Sequence, residues 1–108
     1  MSPETKAELD AVIQQNAVVL FMKGTPDFPQ CGFSATTVEC LKRVGAEFVT
    51  VNVLDDQAIR EGIKVYSDWP TIPQLYIRGE FIGGCDIVRE NYESGELEKN
   101  IKAVAAGA

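Results

Sequence analysis

Residues 17–34 read AVVLFMKGTPDFPQCGFS, and the fold follows from this stretch. Its first part, Ala17–Met22, is an unbroken apolar run rich in Val and Leu, which predicts a central strand buried on both faces. A loop marked by one glycine and two prolines follows and leads to Cys31. Apolar side chains at helical spacing then run from Phe33 to Val44 and predict a helix capped by Gly45. The sequence thus places one cysteine at the start of a helix, after a loop that follows a buried strand.

The flanking segments complete the order α-β-α-β-α-β-β-α-α. Because a helix joins the first two strands, we expect them to be parallel, with a right-handed crossover. We therefore predict an α/β fold with a four-stranded mixed sheet and helices on both faces, as a single domain over residues 1–108. The other predicted elements are a helix from Ser2 to about Asn16, a strand over Val49–Val53, a helix from Asp55 through Tyr66, a hairpin of Gln74–Arg78 and Phe81–Gly83 around Gly79-Glu80, a helix from Cys85, a last helix after Gly95 and a frayed tail, Ala103–Ala108.

Composition excludes several classes of function. The chain has 108 residues, of which 45% are hydrophobic and 24% charged, an ordinary globular profile. Its formal net charge of −6 without a basic run makes it a poor nucleic-acid binder. No apolar run approaches the roughly 18 residues of a transmembrane helix. We therefore expect no nucleic-acid partner and no membrane partner.

The cysteine and histidine counts restrict the chemistry further. Three cysteines, an odd number at wide spacings, do not form a secreted disulfide framework and suggest a reducing compartment. The chain contains no histidine. This absence excludes Cys-His and Ser-His catalysis as well as every zinc site that uses histidine.

Cys31 is the candidate reactive residue. A helix N-terminus and a nearby cation both lower a thiol pKa, and Lys23 at the end of the first strand can supply the cation. The alternative is a buried cysteine that acts only as a small apolar side chain. Ser34 occupies the position at which a second cysteine would make a Cys-x-x-Cys pair. No disulfide can therefore close within the motif, and Cys31 must act with a small thiol, a metal or another protein.

The two other cysteines have different expected roles. Cys85 follows Gly83-Gly84 at a second predicted helix start, so it is a candidate resolving thiol. Its alternative role is to fill a tight turn. Cys40 flanks the apolar face of its helix, and we expect it in the core.

Further candidates lie around Thr71-Ile72-Pro73. If the bond before the proline is cis rather than trans, the backbone of Ile72 can pair with an extended peptide. Trp69 is expected in the core. Arg60 either forms a surface ion pair with Asp56 or receives a ligand carboxylate.

Four segments in order carry a resemblance to a known family. They are Phe21–Pro26, Pro29–Ser34, Trp69–Gln74 and Gly83–Ile87. Together they resemble the monothiol glutaredoxins of the CGFS class, which have the thioredoxin fold. The resemblance extends from about Thr5 to Ile101, nearly the whole chain.

The resemblance implies a glutathione site. Lys23 and Arg60 would receive the glycine carboxylate of glutathione, and the backbone of Ile72 would pair with its cysteinyl unit. The helix start at Cys85 and Asp86 would receive the γ-glutamyl end, with the Asp86 carboxylate meeting the ammonium group. These groups supply the charges and donors that the tripeptide requires.

The resemblance also implies two roles for Cys31. It can ligate iron in a [2Fe–2S] cluster shared between two subunits, because two Cys31 thiolates and two glutathiones supply the four sulfur ligands. The chain would then be a homodimeric carrier that works with BolA-like proteins and delivers clusters to apo iron–sulfur proteins, in cluster assembly and iron homeostasis. The alternative is a glutathione-dependent thiol–disulfide oxidoreductase, at most a weak enzyme, that acts on glutathionylated proteins. A third hypothesis is that the protein is an adaptor with the thioredoxin fold and no redox activity. Bacterial cytoplasm, mitochondrial matrix and chloroplast stroma all suit such a protein.

Overall fold

The computed structural model describes residues 1–107, and its elements follow the predicted order. They are α1 (Pro3–Gln15), β1 (Val18–Met22), α2 (Gly32–Arg43), β2 (Val49–Asn52), α3 (Gln57–Ser67), β3 (Gln74–Ile77), β4 (Glu80–Gly83), α4 (Cys85–Ser94) and α5 (Glu96–Ala105). Ser2 caps α1 by accepting a hydrogen bond from the Thr5 N–H, and Asp56 caps α3 in the same way. None of the helices within residues 1–107 has the length and apolar character needed to span a bilayer.

The four strands form one mixed sheet in the order β2-β1-β3-β4. Strand β1 is parallel to β2 and antiparallel to β3, and β3 is antiparallel to β4. All five residues of β1 are buried because helices cover both faces of the sheet. Val18, Leu20 and Met22 pack in the core beneath α2, α4 and α5, whereas Val19 and Phe21 pack beneath α1 and α3. The predicted thioredoxin-like architecture is therefore confirmed.

Several strand boundaries differ from the prediction: β1 begins at Val18 rather than Ala17, β3 ends at Ile77 rather than Arg78, and β4 begins at Glu80 rather than Phe81. Strand β2 ends at Asn52 rather than Val53, and its edge position leaves Val49 40% exposed. The hairpin turn is Arg78-Gly79 rather than Gly79-Glu80, because both of these residues have positive φ, 53° and 79°. Two consecutive residues with positive φ form the turn whose twist matches an antiparallel hairpin.

Helix ends also differ: α3, predicted from Asp55 through Tyr66, extends over Gln57–Ser67. Val44 is the C-cap residue of α2, and Gly45 follows it with a φ of 73°, the position where glycine is most favoured. The tail expected to fray instead continues α5 to Ala105, and the Ala103 carbonyl accepts a hydrogen bond of 2.9 Å from the Arg78 guanidinium. The last residue of that predicted tail, Ala108, lies outside the described residues.

Candidate functional site

The sheet register brings four segments to one end of the molecule. Phe21 near the end of β1 pairs with Gln74 at the start of β3, and Leu75 pairs with Gly83 at the end of β4. The end of β1, the start of α2, the turn before β3 and the start of α4 are therefore neighbours. A pocket of about 430 Å³ opens between them. All six residues predicted for the site line this pocket: Lys23, Cys31, Arg60, Ile72, Cys85 and Asp86.

Cys31 is the N-cap residue of α2 and is half-buried. As a thiol it makes no capping hydrogen bond. Burial of the sulfur raises the pKa of the Cys31 thiol. The backbone N–H groups of Ser34 and Phe33, then the Ser34 hydroxyl and the charge of Lys23, outweigh burial, so the pKa lies below its ordinary value. The site therefore stabilises the thiolate, the nucleophilic and metal-binding form, more than an ordinary cysteine environment does.

Ser34 has a larger structural role than the sequence suggests. Its side chain is fully buried, and its hydroxyl accepts a hydrogen bond of 3.1 Å from the backbone N–H of Lys23. This bond ties the end of β1 to the first turn of α2. The residue that replaces a second cysteine thus holds Lys23 and Cys31 together, a contact between positions far apart along the chain.

The loop after β1 turns back sharply at Gly24. This glycine has a φ of 90°, and a Cβ atom there would lie 2.5 Å from the Phe28 carbonyl oxygen. Its N–H donates to the Asn52 side chain at 2.9 Å, and the Gln30 N–H donates to the Lys23 carbonyl at 2.9 Å. Only glycine fits this close approach. The turn brings the chain back to the end of β1, where Cys31 follows.

The peptide bond between Ile72 and Pro73 is cis. Neither the N–H nor the C=O of Ile72 forms a hydrogen bond with another group of residues 1–107, although its side chain is buried. Trp69 was expected in the core but is 42% exposed and lines the pocket. It lies in the irregular turn between α3 and β3, and the centroid of its ring lies 6.1 Å from the centroid of the Phe81 ring. The turn therefore presents a free backbone and an aromatic face to a ligand.

The cations of the pocket come from two elements. Lys23 follows β1 and Arg60 lies on α3, and neither forms an ion pair within residues 1–107. The ion pair considered for Arg60 is absent there because the Asp56 carboxylate instead accepts bonds from the N–H groups that begin α3. Lys64 was not predicted for the site but lines the same pocket, one turn after Arg60. Its spacing of four residues from Arg60 was the available signal.

The start of α4 forms the opposite wall. Cys85 is the first residue of α4 and is buried, whereas the Asp86 carboxylate is exposed and lies 3.5 Å from the Arg89 guanidinium. A Cβ atom at Gly84 would lie 3.4 Å from the Pro73 carbonyl oxygen, so glycine lets this helix start approach the turn closely. Cys40 is buried in the core as predicted, and burial raises the pKa of its thiol.

We expect Ser34→Ala to raise the pKa of Cys31 and to slow its alkylation by iodoacetamide at neutral pH. The change removes the hydroxyl that favours the thiolate and leaves the Lys23 N–H without its partner, at a cost of about 1–3 kcal/mol in the free energy of unfolding. Thr37→Val is the matched control, because it removes a buried hydroxyl from α2 that bonds only to the Phe33 carbonyl. Equal alkylation rates in Ser34→Ala and wild type across pH would contradict this role.

The comparison with protein families decides the identity. A model of the glutaredoxin family matches residues 18–82, which include β1, Cys31, the cis-proline turn and most of β4. This chain belongs to the glutaredoxin family. Its similarity extends to monothiol members, and the resemblance to them that the sequence motifs indicated is confirmed.

Two curated relatives define this glutaredoxin's place in the family. A monothiol glutaredoxin of Synechocystis, described as ycf64-like, is 52% identical over 98% of this chain and 99% of its own length. The chloroplastic monothiol glutaredoxin-S7 of rice is 55% identical over 94% of this chain. The chain spans only 61% of the rice protein.

Two solved structures share the architecture of this glutaredoxin. Reduced apo GrxS14 of poplar is 55% identical, with a TM-score of 0.80 over 94% of this chain and 93% of that one. A buckwheat glutaredoxin in complex with glutathione is 23% identical, with a TM-score of 0.84 over 98% of each chain. At that identity the buckwheat protein shows the common fold alone.

Proposed function

We propose that this glutaredoxin binds glutathione in the pocket and that two copies, each a single domain over residues 1–108, carry a [2Fe–2S] cluster to acceptor proteins. The observation that carries the proposal is a single half-exposed cysteine with a lowered pKa at the edge of a cationic pocket. The motif offers no second sulfur, because the buried Ser34 hydroxyl occupies that position.

The pocket supplies a counterpart for each group of glutathione. Lys23 and Arg60 carry charges that suit the glycine carboxylate, and both are free of ion pairs within residues 1–107. The unpaired backbone of Ile72 suits the extended cysteinyl unit. The start of α4 at Cys85 offers N–H groups to the γ-glutamyl carboxylate, and Asp86 offers a partner for its ammonium. The glutathione thiol would then lie near Cys31, because both belong to the same pocket.

A [2Fe–2S] cluster requires four sulfur ligands, and one chain does not provide them. Within residues 1–107 no group of three or more Cys, Asp or Glu side chains is arranged to hold a metal. Two Cys31 thiolates and the thiolates of two bound glutathiones complete the set in a homodimer. The cluster is cargo, and ligands contributed by small molecules allow its release to an acceptor.

Exposed apolar side chains share the pocket with Cys31. Phe33, Trp69 and Ile87 line the pocket and are exposed, and Phe28, in the loop before Cys31, is exposed as well. We propose that this rim contacts the second copy in the holo state and BolA-like or apo iron–sulfur proteins during transfer. A place in the bacterial cytoplasm, the mitochondrial matrix or the chloroplast stroma suits this function in cluster assembly and iron homeostasis.

Anaerobic reconstitution with and without glutathione tests the proposal. With iron, sulfide and glutathione, we expect a coloured protein that elutes as a dimer in gel filtration. If glutathione is replaced by a thiol of similar reducing power but no carboxylates, such as 2-mercaptoethanol, the protein should stay colourless and monomeric. A stable coloured species that forms equally well without glutathione would contradict the proposed ligand set.

The lowered pKa of Cys31 favours a second candidate function, reduction of glutathionylated proteins. The Cys31 thiolate would attack the glutathionyl sulfur and release the protein thiolate; a second glutathione thiolate would then regenerate Cys31 and form glutathione disulfide. Cys85 lines the same pocket and is an alternative resolving thiol. Mass spectrometry after oxidation distinguishes the two resolving thiols, Cys85 and a second glutathione. A Cys31–Cys85 disulfide supports resolution by Cys85, whereas glutathionylated Cys31 alone contradicts it. Brisk reduction by a protein that stays colourless and monomeric under reconstitution would favour this function over the carrier.

A further inference from the structure

Gln74 is a buried polar residue beside the pocket but outside its lining. It begins β3, and its side chain is fully shielded from solvent. Its amide nitrogen donates two hydrogen bonds of 3.1 Å, to the carbonyl oxygens of Trp69 and Thr71. Its amide oxygen accepts a longer bond of 3.4 Å from the Tyr76 hydroxyl. Both amide donors are therefore used on the turn that contains Ile72.

The turn from Trp69 to Pro73 has few other polar ties. Among backbone–backbone hydrogen bonds outside the regular elements of residues 1–107, only one reaches it, from the Trp69 N–H to the Lys64 carbonyl at 3.1 Å. Beyond Trp69, Gln74 provides the polar contact that fixes the path of the chain. The Thr71 carbonyl belongs to the peptide group whose N–H is that of Ile72, so Gln74 orients this N–H directly.

We propose that Gln74 is a positioning residue for glutathione recognition. By holding the Trp69 and Thr71 carbonyls, it aims the N–H of Ile72 into the pocket and keeps the Trp69 ring at the pocket wall. Gln74 itself is fully buried and does not line the pocket, so it would act on glutathione only through the turn. This inference rests on the proposed function, because it assumes that glutathione pairs with the Ile72 backbone.

Two kinds of contribution to glutathione binding have different signatures. The cations Lys23 and Arg60 act through charge, so their contribution falls as salt screens it. Gln74 acts through the geometry of a neutral backbone donor, so its loss should weaken binding at every salt concentration by the same factor. A residue that only fills the core would change thermal stability without changing the dissociation constant.

The experiment measures the dissociation constant of reduced glutathione by NMR titration at low and high salt. We expect Gln74→Met to weaken binding by about fivefold to tenfold, the loss expected when a misplaced Ile72 N–H no longer forms its hydrogen bond with glutathione, with an unchanged salt dependence. Gln74→Asn, which keeps an amide but is one methylene too short, should show the same loss and serves if the first variant fails to fold. Tyr76→Phe removes the 3.4 Å bond to Gln74 but leaves the two bonds of its amide nitrogen in place, so glutathione binding should stay within about twofold of wild type.

Ile101→Val is the stability control, because it alters the core on the other side of the sheet. The proposal is overturned if the Gln74 variants bind glutathione as wild type does. It is also overturned if Ile101→Val, at the same decrease in melting temperature, weakens glutathione binding as much as the Gln74 variants do. A wild type without saturable binding overturns the proposed function, and this inference with it. In the wild type, the side-chain amide signals of Gln74 should shift when glutathione is added, and an unchanged spectrum there would contradict the role without any variant.

Discussion

Cys31→Ser is expected to abolish cluster binding completely, so that the anaerobically reconstituted protein is colourless and monomeric. The change removes the only sulfur of the Cys31–Ser34 motif from each chain and thus half of the four ligands that a shared cluster needs. A serine hydroxyl is not ionised at neutral pH and does not replace a thiolate. Visible absorption and gel filtration of the variant, prepared beside wild type, provide the measurement.

The two remaining cysteines supply the matched controls. Cys40→Ser alters a buried thiol in the core that does not line the pocket, so cluster binding should survive if the variant folds. Cys85→Ser should also keep the colour, because the proposed ligand set does not include Cys85. If Cys31→Ser retained the visible spectrum while Cys85→Ser lost it, the assignment of the iron ligand would be wrong.

Removal of the two pocket cations should produce the second large effect. Lys23→Gln and Arg60→Gln are each expected to weaken glutathione binding on the order of tenfold, because each removes a charged hydrogen-bond donor to a carboxylate. The double variant should lose on the order of a hundredfold if the two contributions add. Isothermal titration calorimetry or NMR titration with reduced glutathione measures the loss.

Salt dependence distinguishes a carboxylate clamp from a general effect of charge. Wild-type binding should weaken as salt increases, and the double variant should show a shallower dependence. Lys102→Gln changes the net charge by the same amount as either single cation variant, but on α5, where the lysine pairs with Glu98 at 3.4 Å, and should bind like wild type. Wild-type affinity in both single cation variants would contradict the clamp.

The sequence predicts the fold well because its strongest patterns have local causes. The apolar run before Met22 reads as a strand buried on both faces, and Ser2 and Asp56 act as the helix caps that their residue types favour. The six predicted site residues also meet in one pocket, since the end of β1, the start of α2, the first turn of α3, the turn before β3 and the start of α4 all reach it. Their roles toward glutathione and iron remain predictions.

The sequence fails where a residue depends on partners distant in the chain. Ser34 can be buried because its hydroxyl accepts a hydrogen bond from the Lys23 N–H. Gln74 can be buried because its amide donates hydrogen bonds to two carbonyls of an irregular turn. No periodicity encodes such contacts. Trp69 was misassigned for the same reason: an irregular turn has no repeating inward face, so residue type alone favoured burial. Lys64 was not predicted for the pocket, and in the structure it also forms a surface ion pair with Glu61 at 3.5 Å.

Native mass spectrometry of the protein reconstituted without air measures most directly whether two chains share one cluster through glutathione. We predict a single holo species whose mass equals two chains, two glutathiones, two irons and two sulfides. It should dissociate to free chains when the cluster is destroyed by a chelator. A cluster held by one chain, or by two chains with no glutathione in the assembly, would contradict the proposed carrier.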